Sequence, residues 1–226
     1  MNKKKVLLSV LALILVCALS ITGTLALMKM NTTTPVTNTF IAAGGGKLAE
    51  ELTLTEHLVA ADVNGDYFYV DKTDATQEAA TDADKVVVQK NSYTVMPGMT
   101  LPKDPTITIT GKTEAPAYLY VEVVGALNGA YQWEMAEGWT EIANLTGVNG
   151  GKVYHYNTIL TNAAGEPTSF PIIKDNEITI PDDPTADLNT QEATLTFYAY
   201  LAQANAGDNT QKGAYEACFK TVAPNP

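Results

Sequence analysis

Imidazole and thiol are the side chains best able to hold a metal or attack a carbonyl near neutral pH, and this chain has two of each: His57, His155, Cys17 and Cys218. Neither histidine sits in a His-Glu-x-x-His pattern, which sets two ligands on one helix face. Glu56 and His57 are adjacent, so they point to different sides of a regular element, and His155 lies between Tyr154 and Tyr156. Both histidines read as structural. Asp62, Asn64 and Asp66 imitate the start of a calcium loop, but Tyr67 stands where the sharp bend needs Gly and Thr73 where a closing Glu belongs. A hairpin at Asn64-Gly65 accounts for them better, with weak surface calcium binding as the alternative. Asp182-Asp183 between Pro181 and Pro184 reads as an acidic turn. There is no Gly-x-Ser-x-Gly elbow, and Cys218 with a distant His is only a formal pair. The residues therefore predict no catalytic site, no metal site and no cofactor.

Charge narrows the partners. The 226 residues carry 14 basic groups, every one a Lys, against 25 acids, for a net charge of −11. Arg is the usual fork for phosphates and base edges, so its absence argues against nucleic acid, and the acidity argues against anionic membranes. A 46% hydrophobic content argues for a folded chain.

Lys3, Lys4 and Lys5 precede an apolar run over residues 6 to 21, and the small, polar stretch Thr22-Gly23-Thr24-Leu25-Ala26 follows. This is the layout of a secretory signal peptide, and the run is shorter than the ~20 residues a spanning helix needs. Cleavage is expected after Ala26, leaving no stable membrane anchor. Val16 stands before Cys17 where a lipobox needs a small residue, so lipidation is not expected. Removing residues 1 to 26 takes away three Lys, one Cys and no acid, so the remaining 200 residues hold 11 Lys against 25 acids, a net −14. Cys218 is then alone and is expected to be buried, with no internal disulfide.

Three segments follow from this reading. Residues 1 to 26 form the signal peptide. Residues 27 to 46 form an extended, Thr-rich segment ending in the hinge Gly44-Gly45-Gly46. Residues 47 to 226 form one domain. Within it, Leu48, Leu52, Leu58 and Val59 stand loosely at helical spacing, which predicts a short helix over residues 47 to 61. Residues 71 to 84 are acidic, rich in Ala and Thr, and predict a mobile loop. Strands are expected at residues 86 to 88, 93 to 95 and 106 to 110, the last with strict alternation. In residues 117 to 124, Leu119, Val121 and Val123 share a buried face, and Tyr118, Tyr120 and Glu122 take the opposite, wet one. Further strands are expected at 153 to 160, at 178 to 180, and, as a central strand, at 193 to 204. A closing helix over 210 to 222 turns Ala214, Ala217, Cys218 and Val222 inward. The fold class is all-β: an antiparallel two-sheet sandwich, jelly-roll in type, with short flanking helices.

The chain also resembles a family. Gly23-Thr24-Leu25-Ala26, Val36-Thr37-Asn38-Thr39-Phe40, Pro97-Gly98, Lys103-Asp104-Pro105-Thr106, Ala117-Tyr118, Tyr154-His155-Tyr156 and residues 198 to 204 occur in an order that is similar to the TasA/camelysin-type secreted proteins of Gram-positive bacteria. The resemblance implies export through a SipW-type signal peptidase, with Thr24-Leu25-Ala26 as the cleavage tripeptide. It implies a jelly-roll subunit of extracellular biofilm matrix fibres, in which the N-terminal strand of one subunit completes the sheet of the next. Partners are then further copies, head to tail, or related matrix subunits. Residues 36 to 43 suit a donated strand, being β-prone and uncharged, and Val36, Asn38, Phe40 and Ala42 would share one face with Phe40 as apolar anchor. Two other classes remain open: a secreted metallopeptidase, the label camelysin-type members carry, and a monomeric surface adhesin or binding module.

Overall fold

A computed structural model of the chain describes residues 29–31, 48–125, 127, 130–161, 165, 167–182 and 194–220. The described strands are β1 (Lys29–Asn31), β2 (Glu51–His57), β3 (Val59–Ala61), β4 (Tyr67–Tyr69), β5 (Val87–Val88), β6 (Thr100–Pro102), β7 (Thr106–Thr110), β8 (Ala117–Gly125), β9 (Trp139–Thr146), β10 (Lys152–Tyr156), β11 (Thr168–Pro171), β12 (Glu177–Thr179) and β13 (Leu195–Gln203), with one α-helix, α1 (Gln211–Phe219). The chain is an all-β antiparallel sandwich, as the alternating segments predict. One sheet has the order β1-β13-β8-β10-β9, the other β11-β7-β2-β5, and two-stranded ribbons β12-β6 and β3-β4 flank them.

The two sheets share a core. Leu119, Val121, Phe197, Ala199 and Leu201 of the five-stranded sheet meet Leu52, Ile107, Ile109 and Phe170 of the four-stranded one. Trp139 at the start of β9 belongs to this core, and its indole N–H donates to the Pro171 carbonyl on β11 at 2.8 Å, tying one sheet to the other. β13 lies between β1 and β8 and pairs with β8 along its whole length, from Leu195 opposite Gly125 to Gln203 opposite Ala117. It is the interior strand that its pattern predicts.

The helix predicted over residues 47 to 61 is instead β2 followed by β3. The pattern Leu52-Thr53-Leu54-Thr55 also has period two, and β7 offers a ladder of the same kind: Leu52 faces Ile109, Thr53 faces Thr108 and Leu54 faces Ile107. Cross-strand Leu-Ile and Thr-Thr pairs outweigh a loose helical spacing that has no second surface to pack on. Residues 93 to 95 form no strand; the Thr94 N–H donates to the Tyr67 hydroxyl at 2.6 Å, and the Tyr93 hydroxyl to the Pro102 carbonyl at 2.6 Å. Residues 71 to 84 hold local structure rather than open loop. Bridges join Val70 to Glu78 and Asp71 to Lys85, and Asp71 and Asp74 each accept from the Thr two residues on.

The expected wet face of β8 is the largest correction. Tyr118, Tyr120 and Glu122 are buried, because α1 lies over that side of the five-stranded sheet. Thr210 caps the helix, its hydroxyl accepting from the Gly213 N–H at 3.0 Å. Tyr215 of α1 inserts edge-on between Tyr120 and Tyr200, at 5.3 and 5.5 Å between ring centres. Ala214 turns inward as expected, Ala217 is exposed, Cys218 is half-buried, and Val222 lies outside the described residues. In β9, Asn144 has φ 57°. Residues 142 to 145 there stand between the pairs Tyr154–Glu141 and Lys152–Thr146, opposite Val153 alone. This bulge puts Ile142 and Leu145 on the same side, under the helix, where strict alternation would part them. No helix among the described residues is long and apolar enough to cross a membrane.

Candidate functional site

β2 ends with Glu56-His57, and the link from β6 to β7 carries Lys103-Asp104. Successive residues of an extended chain point opposite ways, so two dipeptides that cross can make one ion pair on each side. They do so here: the Lys103 ammonium binds the Glu56 carboxylate, and His57 Nδ1 meets Asp104 Oδ2 at 2.6 Å. The other Asp104 oxygen accepts the His57 backbone N–H at 2.9 Å. Asn91 closes the group, donating to the His57 carbonyl at 2.7 Å while accepting the Val59 N–H at 3.1 Å. Tyr69 stacks edge-on to His57 at 6.0 Å, and Lys85 lies 3.9 Å over the Tyr69 ring. Burial, and then the negative field of Asp104, pushes the Tyr69 hydroxyl above its ordinary pKa, so it stays protonated.

A histidine held by a carboxylate is the orienting half of an acid–base pair. No Ser, Thr or Cys makes a hydrogen bond to the His57 ring among the described contacts, and both carboxylates are committed, one to lysine and one to the strand it holds. No grouping of three or more His, Cys, Asp and Glu suited to a metal occurs among the described residues. The cluster joins β2 to the β6–β7 link. Asp104→Asn is expected to lower unfolding free energy by about 1–3 kcal/mol in urea titration, since the amide oxygen can still accept the backbone N–H but loses the ring pair. His155 sits apart on β10, its Nδ1 3.1 Å from the Tyr156 carbonyl. Asp62 accepts the N–H groups of Asn64 and Asp66 at 2.8 and 2.9 Å and shapes the β3–β4 turn, as the hairpin reading expects.

Sequence reasoning missed a second buried charge. Glu122, fully enclosed, accepts from the Tyr200 hydroxyl at 2.6 Å, from the Asn149 N–H and side-chain amide at 2.8 and 3.0 Å, and from the Gly151 N–H at 2.9 Å. Tyr200 is raised above its ordinary pKa by burial and by this bond. The turn at Asn149-Gly150-Gly151 is thus folded onto the carboxylate. A strand glutamate among tyrosines was its only signal.

The third feature is an edge. β1 pairs antiparallel with β13, with Lys29 opposite Ala202, Met30 opposite Leu201 and Asn31 opposite Tyr200. Among the described residues no other strand pairs with β13 on that side. Ala26, the donor residues Val36, Asn38, Phe40 and Ala42, and the hinge Gly44, Gly45 and Gly46 lie outside the described residues. Lys29–Asn31 belong to the same predicted N-terminal segment, placed there without being assigned a partner. Compared with protein-family models, with curated proteins and with solved structures, the chain matches none.

Proposed function

We propose that the chain is a secreted structural subunit, or an accessory component, of an extracellular matrix fibre, and that it assembles by passing its N-terminal strand from one subunit to the next. The observation that supports this is the antiparallel pairing of β1, a piece of the N-terminal segment, with β13. Sixteen residues separate Asn31 from Leu48, a tether that reaches up to roughly 50 Å when extended. That is long enough to serve a neighbouring sheet as well as its own. A subunit that donates at one end and accepts at another makes a heterologous contact, and such contacts propagate as filaments when they do not close. Export would release the strand by cleavage after Ala26 through a SipW-type peptidase. The jelly-roll winding and the matrix setting come from the family resemblance, and the function needs no cofactor.

At −14 the subunits repel one another, so assembly should quicken as carboxylates are protonated. Not all of them contribute. Asp71, Asp74 and Asp208 are held below the usual carboxylate range by a neighbouring threonine hydroxyl, Asp62 by the Asp66 N–H and Asp82 by Lys85. Groups depressed in the folded state stabilise it above their unfolded pKa and lose that contribution only as pH falls through the lower folded value. These carboxylates are held low by their own partners, so their loops keep that contribution as the pH falls into mild acid. The expected result for residues 27 to 226 is filaments by electron microscopy, with a lag several-fold shorter at about pH 5 than at pH 7. A persistent monomer by size-exclusion chromatography at both would contradict the proposal and favour a binding module.

A further inference from the structure

Asp104 is followed by proline, and the Asp104–Pro105 link carries the chain from β6, in the β12-β6 ribbon, to β7 in the four-stranded sheet. An aspartate carboxylate can close on its own backbone carbonyl to form a small ring, and proline makes the nitrogen it would displace a tertiary amide with no N–H. The groups that such a reaction needs are held in place here. Asp104 is 6% exposed; one carboxylate oxygen accepts the His57 backbone N–H at 2.9 Å, and the other meets His57 Nδ1 at 2.6 Å. The Thr106 hydroxyl donates to the Asp104 carbonyl oxygen at 3.0 Å, a distance at which a donor stabilises an oxyanion. The backbone is pinned on either side: the Lys103 N–H donates to the Asn176 carbonyl at 2.7 Å, and the Pro105 carbonyl accepts from the Ile172 N–H at 3.0 Å.

We infer that Asp104 cuts its own peptide bond to Pro105, once per chain, so that the subunit matures into two pieces that stay folded together. A carboxylate oxygen of Asp104 bonds to the Asp104 carbonyl carbon while the Thr106 hydroxyl holds the carbonyl oxygen. The C–N bond then breaks, the Pro105 nitrogen takes a proton, and Asp104 is left as a cyclic anhydride. The His57 side chain, 25% exposed and already on that carboxylate, is the group placed to pass the proton in from solvent. One water opens the anhydride, leaving a C-terminal Asp104 with two carboxyl groups and Pro105 with a free secondary amine. Nucleophile and carbonyl belong to one residue, so the attack needs no outside substrate. The bonds that tie this carboxylate away from other substrates keep it beside the one it never leaves. After the cut, β2 still pairs with β7, β6 with β12 and β1 with β13, so only denaturation parts the pieces.

The test is incubation of the mature chain in native buffer and in urea, each sampled over time by denaturing gel and mass spectrometry. The native chain should yield one fragment ending at Asp104 and one beginning at Pro105, together heavier than the intact chain by one water. The cut should run about a hundredfold faster in the folded chain than in urea, because only the fold holds the carboxylate and the Thr106 donor in place. Thr106→Val, which keeps the shape of the side chain, and His57→Gln should each slow it about tenfold. Pro105→Ala should stop it. A native chain that stays intact, a cut no faster in the folded chain than in urea, or a parental rate in any of the three variants overturns the inference. The ratio between folded and unfolded chains needs no variant, so it decides the matter even where a substitution disturbs the fold.

Discussion

Glu122→Ala is expected to lower the unfolding free energy by about 3–5 kcal/mol, and the melting temperature by on the order of 10 °C. The carboxylate is the acceptor on which a hydroxyl, a side-chain amide and two backbone N–H groups converge beneath α1. Alanine takes that acceptor from the buried Tyr200 hydroxyl and from two backbone N–H groups, while the Asn149 amide keeps only the Tyr200 hydroxyl at 2.7 Å, and unsatisfied donors cost more than a hydrogen bond returns. Glu122→Gln should lose less, because one carboxamide oxygen remains to accept. Gly147→Ala supplies an independent check. A Cβ there would lie 2.2 Å from Glu122 Cδ, and the enclosed carboxylate cannot move aside. Thermal unfolding followed by circular dichroism measures all three; a loss under about 1 kcal/mol for Glu122→Ala would mean that the network does not hold the helix layer.

The second large effect concerns assembly. A chain lacking residues 27 to 43 is expected to form no filaments under conditions where the mature chain does, while its β-sheet circular dichroism stays unchanged. Among the described residues β1 pairs only with β13, at one end of the five-stranded sheet. Losing a strand at the end of a sheet removes a pairing surface rather than an interior layer. A synthetic peptide of residues 27 to 43, added in excess, should also suppress filaments of the mature chain by occupying the edge, with monomers accumulating on size-exclusion chromatography.

Much of this architecture was legible in the sequence, and the gaps have physical causes. The alternation in Thr106–Thr110 and in β13 reads directly as strands, because period two leaves no other regular element. Residues 47 to 61 misled because leucines four apart also sit one above another on a helix, and only the matching ladder on β7 decides between the two. The wet face assigned to β8 failed for a different reason. Tyrosine is polar only at its tip, so Tyr118, Tyr120, Tyr200 and Tyr215 build a buried aromatic layer from residues that look half-polar in a pattern. α1 then covers a face that a two-layer sandwich would leave to water.

The charged cluster was hidden by distance along the chain. Glu56-His57 and Lys103-Asp104 lie 47 residues apart, and no spacing rule joins them. Their order holds the one available clue: acid then histidine against lysine then acid gives two complementary pairs when the strands cross. The Lys103-Asp104-Pro105-Thr106 motif, which helped to mark the family resemblance, thus has a structural task of its own. Asp104 fixes the end of β2, and Thr106 donates back to the Asp104 carbonyl at 3.0 Å.

Passage of the N-terminal strand from one subunit to the next can be read by cross-linking two differently marked chains. Lys29 and Ala202 are opposed across β1 and β13, and opposed Cα atoms at ~4.5–5.5 Å suit a disulfide. With Cys218→Ser in both, one mature chain carries only Lys29→Cys and the other only Ala202→Cys; they are mixed, assembled and oxidised. Strand exchange gives a mixed disulfide dimer that forms with the filaments and is absent when residues 27 to 43 are deleted from the chain bearing the strand cysteine. Filaments without that dimer, alongside rapid closure of the same disulfide within a single chain carrying both cysteines, would show that the strand stays at home and would contradict it.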